Sequence, residues 1–448
     1  MINAEYVLFA GVLGVILLDL LRIGLKRQTN NIIHYVTFGI LILSFITELV
    51  FGNMNVEFFS SVQYSYFVNG FVLFISVAVY AYLLIDTPEH STYIDVLYLF
   101  AVLGATLVII SSNFISLLIA IEMISIASYS LVFFQKTLGR MEATMKYVAI
   151  SFISVIILIF GISLIYAGAG TLSFGKVSNV DYLPFILGVG IVIAGLAFKA
   201  TIVPFHMWAP DVYESSNSAV TAFLVSVSKT AGLLALIRVF FFGFQVSSSF
   251  VSIVFFGLAI ATIFFATFLA SVQDRIKRLL AYSSIAQAGF AFIGLALLNR
   301  NGVSASIFYI FSFAVADALV FLAYKIFEDK KIIYLKDANR MPRISKIATA
   351  AMFIGVLSLF GLPPTIGFFG KLLIFSALLA HGYVSLVIAL FAILLFSTFY
   401  YANILMKMDL SDIHSSQNEG QNIRIRMKEV ILVLLMIAIF AGVMFAGI

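Results

Sequence analysis

The chain has 448 residues, 62% of them hydrophobic and only 10% charged, with a formal net charge of +5 and no cysteine. Soluble domains run at about 45–50% apolar and 25% charged residues, so a water-soluble globule is excluded. Without cysteine, and with only five scattered histidines, thiolate-held iron–sulfur clusters and structural zinc in this chain are excluded too.

Apolar runs of about 17 to 25 residues, each able to cross about 30 Å of hydrocarbon, recur from end to end. The first, near 4–21, precedes the first cationic cluster (Arg22, Lys26, Arg27) and lacks a basic n-region and cleavage site, so it is expected to be a retained span. Further runs lie near 35–51, 65–85, 95–111, 114–134, 146–167 and 183–205, then near 220–242, 251–272, 279–298, 304–327, 347–379, 383–405 and 430–447. The expected fold is an all-α integral membrane protein of about 14 transmembrane helices, with no extramembrane domain between them. Nineteen of the 26 Lys and Arg fall in the connections after spans 1, 5, 9, 11 and 13, whereas the opposite connections hold only Lys176 and Arg300. By the positive-inside rule the odd-numbered loops are cytoplasmic and both termini lie on the outer side. This distribution assigns the positive charge to a membrane face and not to nucleic acid.

Spans 7 and 12 are too long for one simple crossing, and each is interrupted. Pro204 and Pro210 lie in "KATIVPFHMWAPD" and Pro363 and Pro364 in "GLPPTIGFFGK", where a missing N–H breaks the helical ladder. Non-helical backbone at membrane depth must be buried in protein or line a wet cavity, so the breaks suggest a polar pathway. They are five spans apart, and a five-span repeat enters its second copy from the opposite side. Spans 4–8 and 9–13 are therefore expected to be two inverted five-helix repeats with broken helices 7 and 12, a transporter-type arrangement.

Glu122 in span 5, Lys229 in span 8, Asp317 in span 11 and Lys371 after the span 12 break are all flanked by apolar stretches, and Lys199 precedes Pro204 by five residues. Each charge at the bilayer centre costs about 2.5–3.5 kcal/mol even on a mild scale, so the set must either pair or move protons. Burial disfavours a charged lysine and a nearby carboxylate restores it, so moving one charge alters proton affinity at the next site. A Glu122 to Lys199 pair, with Lys229 and Lys371 beyond it, is the expected chain. Ser125, Ser128 and Tyr129 follow Glu122, and Ser226 shares a face with Lys229; these can hold water or pack helices together. His206 is an accessory candidate beside the break. Trp208 is expected to anchor at the interface, Arg238 and Lys325 to snorkel to headgroups, and Gly188 and Gly190 to permit close packing within span 7.

"FKATIVPFHMWAPDVYE" (198–214) closely resembles the span 7 motif of subunit N of NADH-quinone oxidoreductase, the antiporter-like membrane subunit family of respiratory complex I. The resemblance continues in order through "AVTAFLVSVSKTAGLLALIRVF", "QDRIKRLLAYSSIAQAGF", "LSLFGLPPTIGFFGKLLIFSA" and "STFYYANIL", and more loosely over about 95–408. It implies a three-helix segment at 1–94, a first antiporter-like repeat at 95–242, a second inverted repeat at 251–405, and a loop and C-terminal helix at 406–448. It also implies that Glu122, Lys199, Lys229 and Lys371 transfer protons, with energy from quinone chemistry on partner membrane-arm subunits in the cell membrane. Quinone, flavin and iron–sulfur clusters would then sit on those partners, with no cofactor here. Two residues depart from the family. Gln287 stands where histidine is common, an amide that carries no proton charge at neutral pH, and Asp317 stands where small or uncharged residues are usual. Asp317 is expected to replace a missing polar site of the second half.

A cation/proton antiporter subunit or a membrane-bound hydrogenase subunit would share these broken helices and lysines; "PDVYE" and the absence of an added amphipathic C-terminal helix favour subunit N. A pure scaffold would not need four buried charges. A soluble-type enzyme finds no support, because no G-x-G-x-x-G follows a strand and no nucleophile triad or metal cluster is present.

Overall fold

The computed structural model describes residues 3–24, 30–51, 61–86, 91–133, 138–177, 183–243, 249–408 and 423–447. Of the cationic positions that set the expected topology, Lys26, Arg27 and Lys136 lie outside the described residues. Three long helices come first: α1 (Ala4–Gly24), α2 (Asn30–Phe51) and α3 (Ser61–Asp86). Next are α4 (Thr92–Ile110), α5 (Phe114–Phe133), α6 (Leu138–Ala169) and α7 (Leu183–Lys199), then the short α8 (Trp208–Ser215). Span 8 is composite: α9 (Ser218–Phe223), a π-helical turn (Leu224–Ser228), α10 (Lys229–Ile237) and a second π turn (Arg238–Gly243). The second unit comprises α11 (Ser249–Ser271), α12 (Ile276–Ala296), α13 (Arg300–Glu328), the short α14 (Met341–Ile344), α15 (Lys346–Phe360), α16 (Ile366–Ala380) and α17 (Val384–Lys407), and α18 (Ile423–Ala441) closes the chain.

Twelve helical segments among the described residues are long and apolar enough to cross a membrane alone; α7 and the broken α15 and α16 supply two more crossings, matching the fourteen expected. The protein is thus a multi-pass, all-helical membrane protein. Both five-span units carry their break in the fourth span, and five being odd, α11 starts at the end of the bundle opposite to the start of α4. In a hydrocarbon solvent every backbone group must be answered internally, which is why these apolar runs become helices.

Span 8, α12 and α13 are almost wholly enclosed, whereas α6, α11 and α17 turn rows of large apolar side chains outward: Phe152, Ile156 and Phe160; Phe264, Phe265 and Phe268; Ile388, Phe391 and Leu395. Close backbone approach holds α6 to α7: a Cβ on Gly188 would lie 2.9 Å from the Gly161 carbonyl oxygen, as expected for packing, while Gly190 meets only the edge of Phe250 at 4.0 Å.

One end of the bundle is knitted by ion pairs. Asp86 at the end of α3 accepts from Lys428 of α18 at 2.6 Å and faces Lys325 of α13 at 3.3 Å. Lys277 of α12 donates to Glu328 at 2.8 Å, and Glu328 also accepts the Ser218 N–H that opens α9 at 3.1 Å. Arg275 and Arg278 hold Glu214, at 2.5 and 2.9 Å. One expectation is corrected here. Lys325 does not snorkel outward: it is 6% exposed and bound to Asp86 and Asp329, because carboxylates on α3 and its own helix end offer a closer partner than the headgroups. Arg238, at the other end, turns to donate to the Ser111 carbonyl at 2.7 Å, answering an acceptor left open where α4 stops.

Candidate functional site

At the first break, α7 ends on Lys199 and the chain turns through Thr201 at φ 58° before Pro204. The freed Val203 N–H donates to Thr262 Oγ1 of α11 at 3.0 Å, so the second unit completes the break in the first. The α10 backbone lies directly against this turn: a Cβ on Gly232 would come within 2.8 Å of the Lys199 carbonyl carbon. Lys199, 4% exposed, donates to Ser125 Oγ at 2.9 Å, one turn along α5 from Glu122. Glu122 and Lys199 form no direct ion pair; the Ser125 hydroxyl stands at the junction, and Glu122 Oε1 is buried without a protein partner among the described residues. Ser128 Oγ reaches Ser228 Oγ at 3.5 Å, and Tyr129 donates to Ser151 of α6.

Trp208 corrects its expected interface role. It is 3% exposed and stacked on Tyr147, with centroids 4.2 Å apart and planes 7° apart, and Phe198 lies alongside. The broken span folds back into the bundle, and carries the indole with it. His206 gives its carbonyl to the Ala209 N–H; its buried Nδ1 meets no described polar group, and it makes no bond to the lysines.

The middle of the site is Lys229, placed at the first residue after the π turn of span 8. Extra-wide turns of this kind recur at functional positions because they re-aim the side chain that follows. All three ammonium hydrogens have acceptors: Asp317 Oδ2 at 3.0 Å, the Ser284 carbonyl at 3.0 Å and Ser284 Oγ. Ser284 in turn donates to Asp317 Oδ2 at 2.5 Å. Lys229 and Asp317 side chains are fully buried. Asp317, expected to replace a missing polar site of the second half, pairs across the seam with a lysine of the first.

At the second break, Gly361 takes φ +85° and its N–H caps the Leu357 carbonyl at 2.9 Å. Lys371, 5% exposed, donates to the freed Leu359 and Phe360 carbonyls, both at 2.8 Å, and lies 5.4 Å from the Phe290 ring centroid. Gln287 of α12 donates to the same Leu359 carbonyl at 2.9 Å and to Tyr401 at 2.7 Å, while Tyr309 donates to its oxygen. Ser283, beside Ser284, shares a 2.5 Å hydrogen bond with Tyr401. A polar line thus runs along the bundle from Glu122 to Lys371 through membrane-embedded side chains.

Residues 111–397 match the family described as NADH:quinone oxidoreductase/Mrp antiporter, TM. A subunit N 2 of NADH-quinone oxidoreductase from Chloroherpeton thalassium is 30% identical, covering 96% of this chain and 89% of that one. This chain belongs to that family, among its subunit N proteins. An F(420)H(2) dehydrogenase subunit N from Methanosarcina mazei is 31% identical over 88% of this chain and 86% of its own length. In fold, the chain is similar to a subunit of respiratory complex I from Thermus thermophilus, with a TM-score of 0.80, 24% identity and coverage of 98% and 97%. It is also similar to a chain of the Mrp complex from Dietzia, with a TM-score of 0.83, 18% identity and coverage of 100% and 95%.

Within this family fold, the structure brings Lys199, Lys229, Asp317, Gln287 and Lys371 onto one buried line and leaves His206 off it. Ser284, Tyr309, Tyr401 and Thr262 escaped the sequence reading. Hydroxyl residues are common packing elements in membrane helices, and nothing in their spacing separates these from the others; only the "YSSIAQ" pairing of hydroxyls with Gln287 on one helix hinted at Ser284.

Proposed function

We propose that this chain is a proton-translocating subunit N of an NADH-quinone oxidoreductase-type complex. It sits among other membrane-arm subunits in the cell membrane, with odd-numbered loops cytoplasmic and both termini outside. The observation that carries the proposal is the buried Lys229 and Asp317 pair on the seam between the two five-span units. A charge arriving at Lys199 or Lys371 biases that pair from either side, and a pair linking two inverted units can pass the bias onward. Glu122, Lys199, Lys229, Asp317 and Lys371 are the proton-transfer groups, and Tyr129, Gln287 and the serines order the path. Electron transfer belongs to partner chains, where flavin, iron–sulfur clusters and quinone would reside. The relatives named for NADH-quinone and for F(420)H(2) support this division of labour, since similar chains carry names with different electron donors.

The test is Lys229→Ala in membranes containing the assembled complex, with proton pumping and quinone reductase activity measured side by side. Both should fall together by at least about tenfold, a barrier change of about 1.4 kcal/mol; if both persist with assembly intact, the charge is structural and the path is wrong. The Mrp likeness favours one second reading, a subunit of a cation/proton antiporter complex. Sodium- or potassium-driven proton movement without quinone reductase dependence would select it.

A further inference from the structure

Outside both five-span units, the N-terminal helices bring together a second ionisable site, in which Glu48 is buried and Glu5 half-buried. Glu5 lies in the first turn of α1 and Glu48 in the last turn of α2, at the end of the bundle away from the ion-paired face. Glu48 is 5% exposed and its Cγ lies 3.7 Å from where a Cβ on Gly70 would stand, which places the carboxyl against α3. There Asn69, 1% exposed and next in the chain to Gly70, donates Nδ2 to Glu5 Oε1 at 2.8 Å. Two acceptors at this spot, Glu48 Oε1 and Asn69 Oδ1, are buried without a protein donor among the described residues.

Among the described residues, no cation compensates them. The other ionisable residues described on α1 to α4 (Asp19, Arg22, His34, Asp86 and Asp95) are at the opposite end, where Asp19 binds Thr92 and Asp95 binds His34 and Tyr80. The near half of α4, from Gly104, offers only Thr106, which is spent on the Leu103 carbonyl. From α13, Phe311 meets Phe67 and Phe71, while Arg300 is three turns farther toward the helix start. The charged positions of α18 (424, 426, 428 and 429) all fall in its first two turns, at its other end.

Two carboxylates sharing a desolvated site cannot both be ionised at low cost. The candidate occupants are a hard cation and a proton. A cation of the sodium or calcium type needs about six or more oxygen ligands, whereas three side chains converge here and one of them already points an N–H into the pair. We propose that Glu5 and Glu48 form a proton-binding carboxyl pair beside Asn69, holding one proton between them at neutral pH.

The test is carbodiimide labelling of the whole complex in native membranes, which modifies protonated carboxyls in apolar surroundings, with the products read by mass spectrometry. Labelling should fall on Glu5 or Glu48 at neutral pH, never on both in one molecule, and should fade at alkaline pH. In Glu5→Gln, Glu48 loses its like-charged neighbour, and its labelling at neutral pH should drop by about threefold or more. Absence of labelling across the pH range, double labelling in one molecule, or Glu48 labelling unchanged by Glu5→Gln would each overturn the pair. Protection by sodium at constant pH would overturn the proton in favour of a metal ion. The wild-type stoichiometry decides the matter even if the variant does not assemble.

Discussion

Lys229 has every ammonium hydrogen answered by three oxygens from two helices, so its environment has no slack. Asp317→Asn keeps the shape and removes the charge; proton pumping and quinone reduction should both fall by about tenfold or more, and normal pumping would sink the role given to Asp317. Truncation to Asp317→Ala leaves Lys229 buried without its counter-charge and should cost about 3–5 kcal/mol of stability. Combining it with Lys229→Ala should recover much of that loss in a thermal-unfolding cycle, because the double variant strands no charge. What was legible in the sequence at this scale was the set of charges, since an ionisable residue among apolar neighbours announces its own expense. Their pairing was not legible: Lys229 and Asp317 are separated by 88 positions and meet only through tertiary packing.

Each break is stabilised from outside its own span. Gly361 is where backbone conformation and space coincide: its φ is positive, and a Cβ there would sit 2.9 Å from Lys371 Cδ. Gly361→Ala should therefore displace Lys371 and depress pumping as far as Lys371→Ala does, with assembly retained; the two variants compared in the same membranes check this. Gly232→Ala should act on the first break through overpacking against Lys199, lowering stability by about 1–3 kcal/mol as read by thermal unfolding of the purified complex. The prolines disclosed where the helices stop, because the ring forbids the ladder. They did not disclose where the chain goes next, which is why Trp208 was expected at the interface and is found stacked on Tyr147.

Across the whole molecule, the fourteen crossings and the two broken spans were readable from apolar run length and proline position alone. The ion-paired end was readable only as an excess of cations; its carboxylate partners Asp86, Glu214, Glu328 and Asp329 come from the ends of three separate helices, α3, α8 and α13. Asp86 serves both Lys325 and Lys428, so Asp86→Asn should weaken the seating of α18 and lower stability by about 3 kcal/mol, measured as earlier thermal loss of the intact complex. The bond from Val203 N–H to Thr262 extends further. The first five-span unit cannot be cut free: separated from α11, α12 and α13 it would hold an unanswered amide at its break and a lysine without a counter-ion. The two units are therefore obligate halves, and chains split in the connection between them should regain transport only when both fragments are made together.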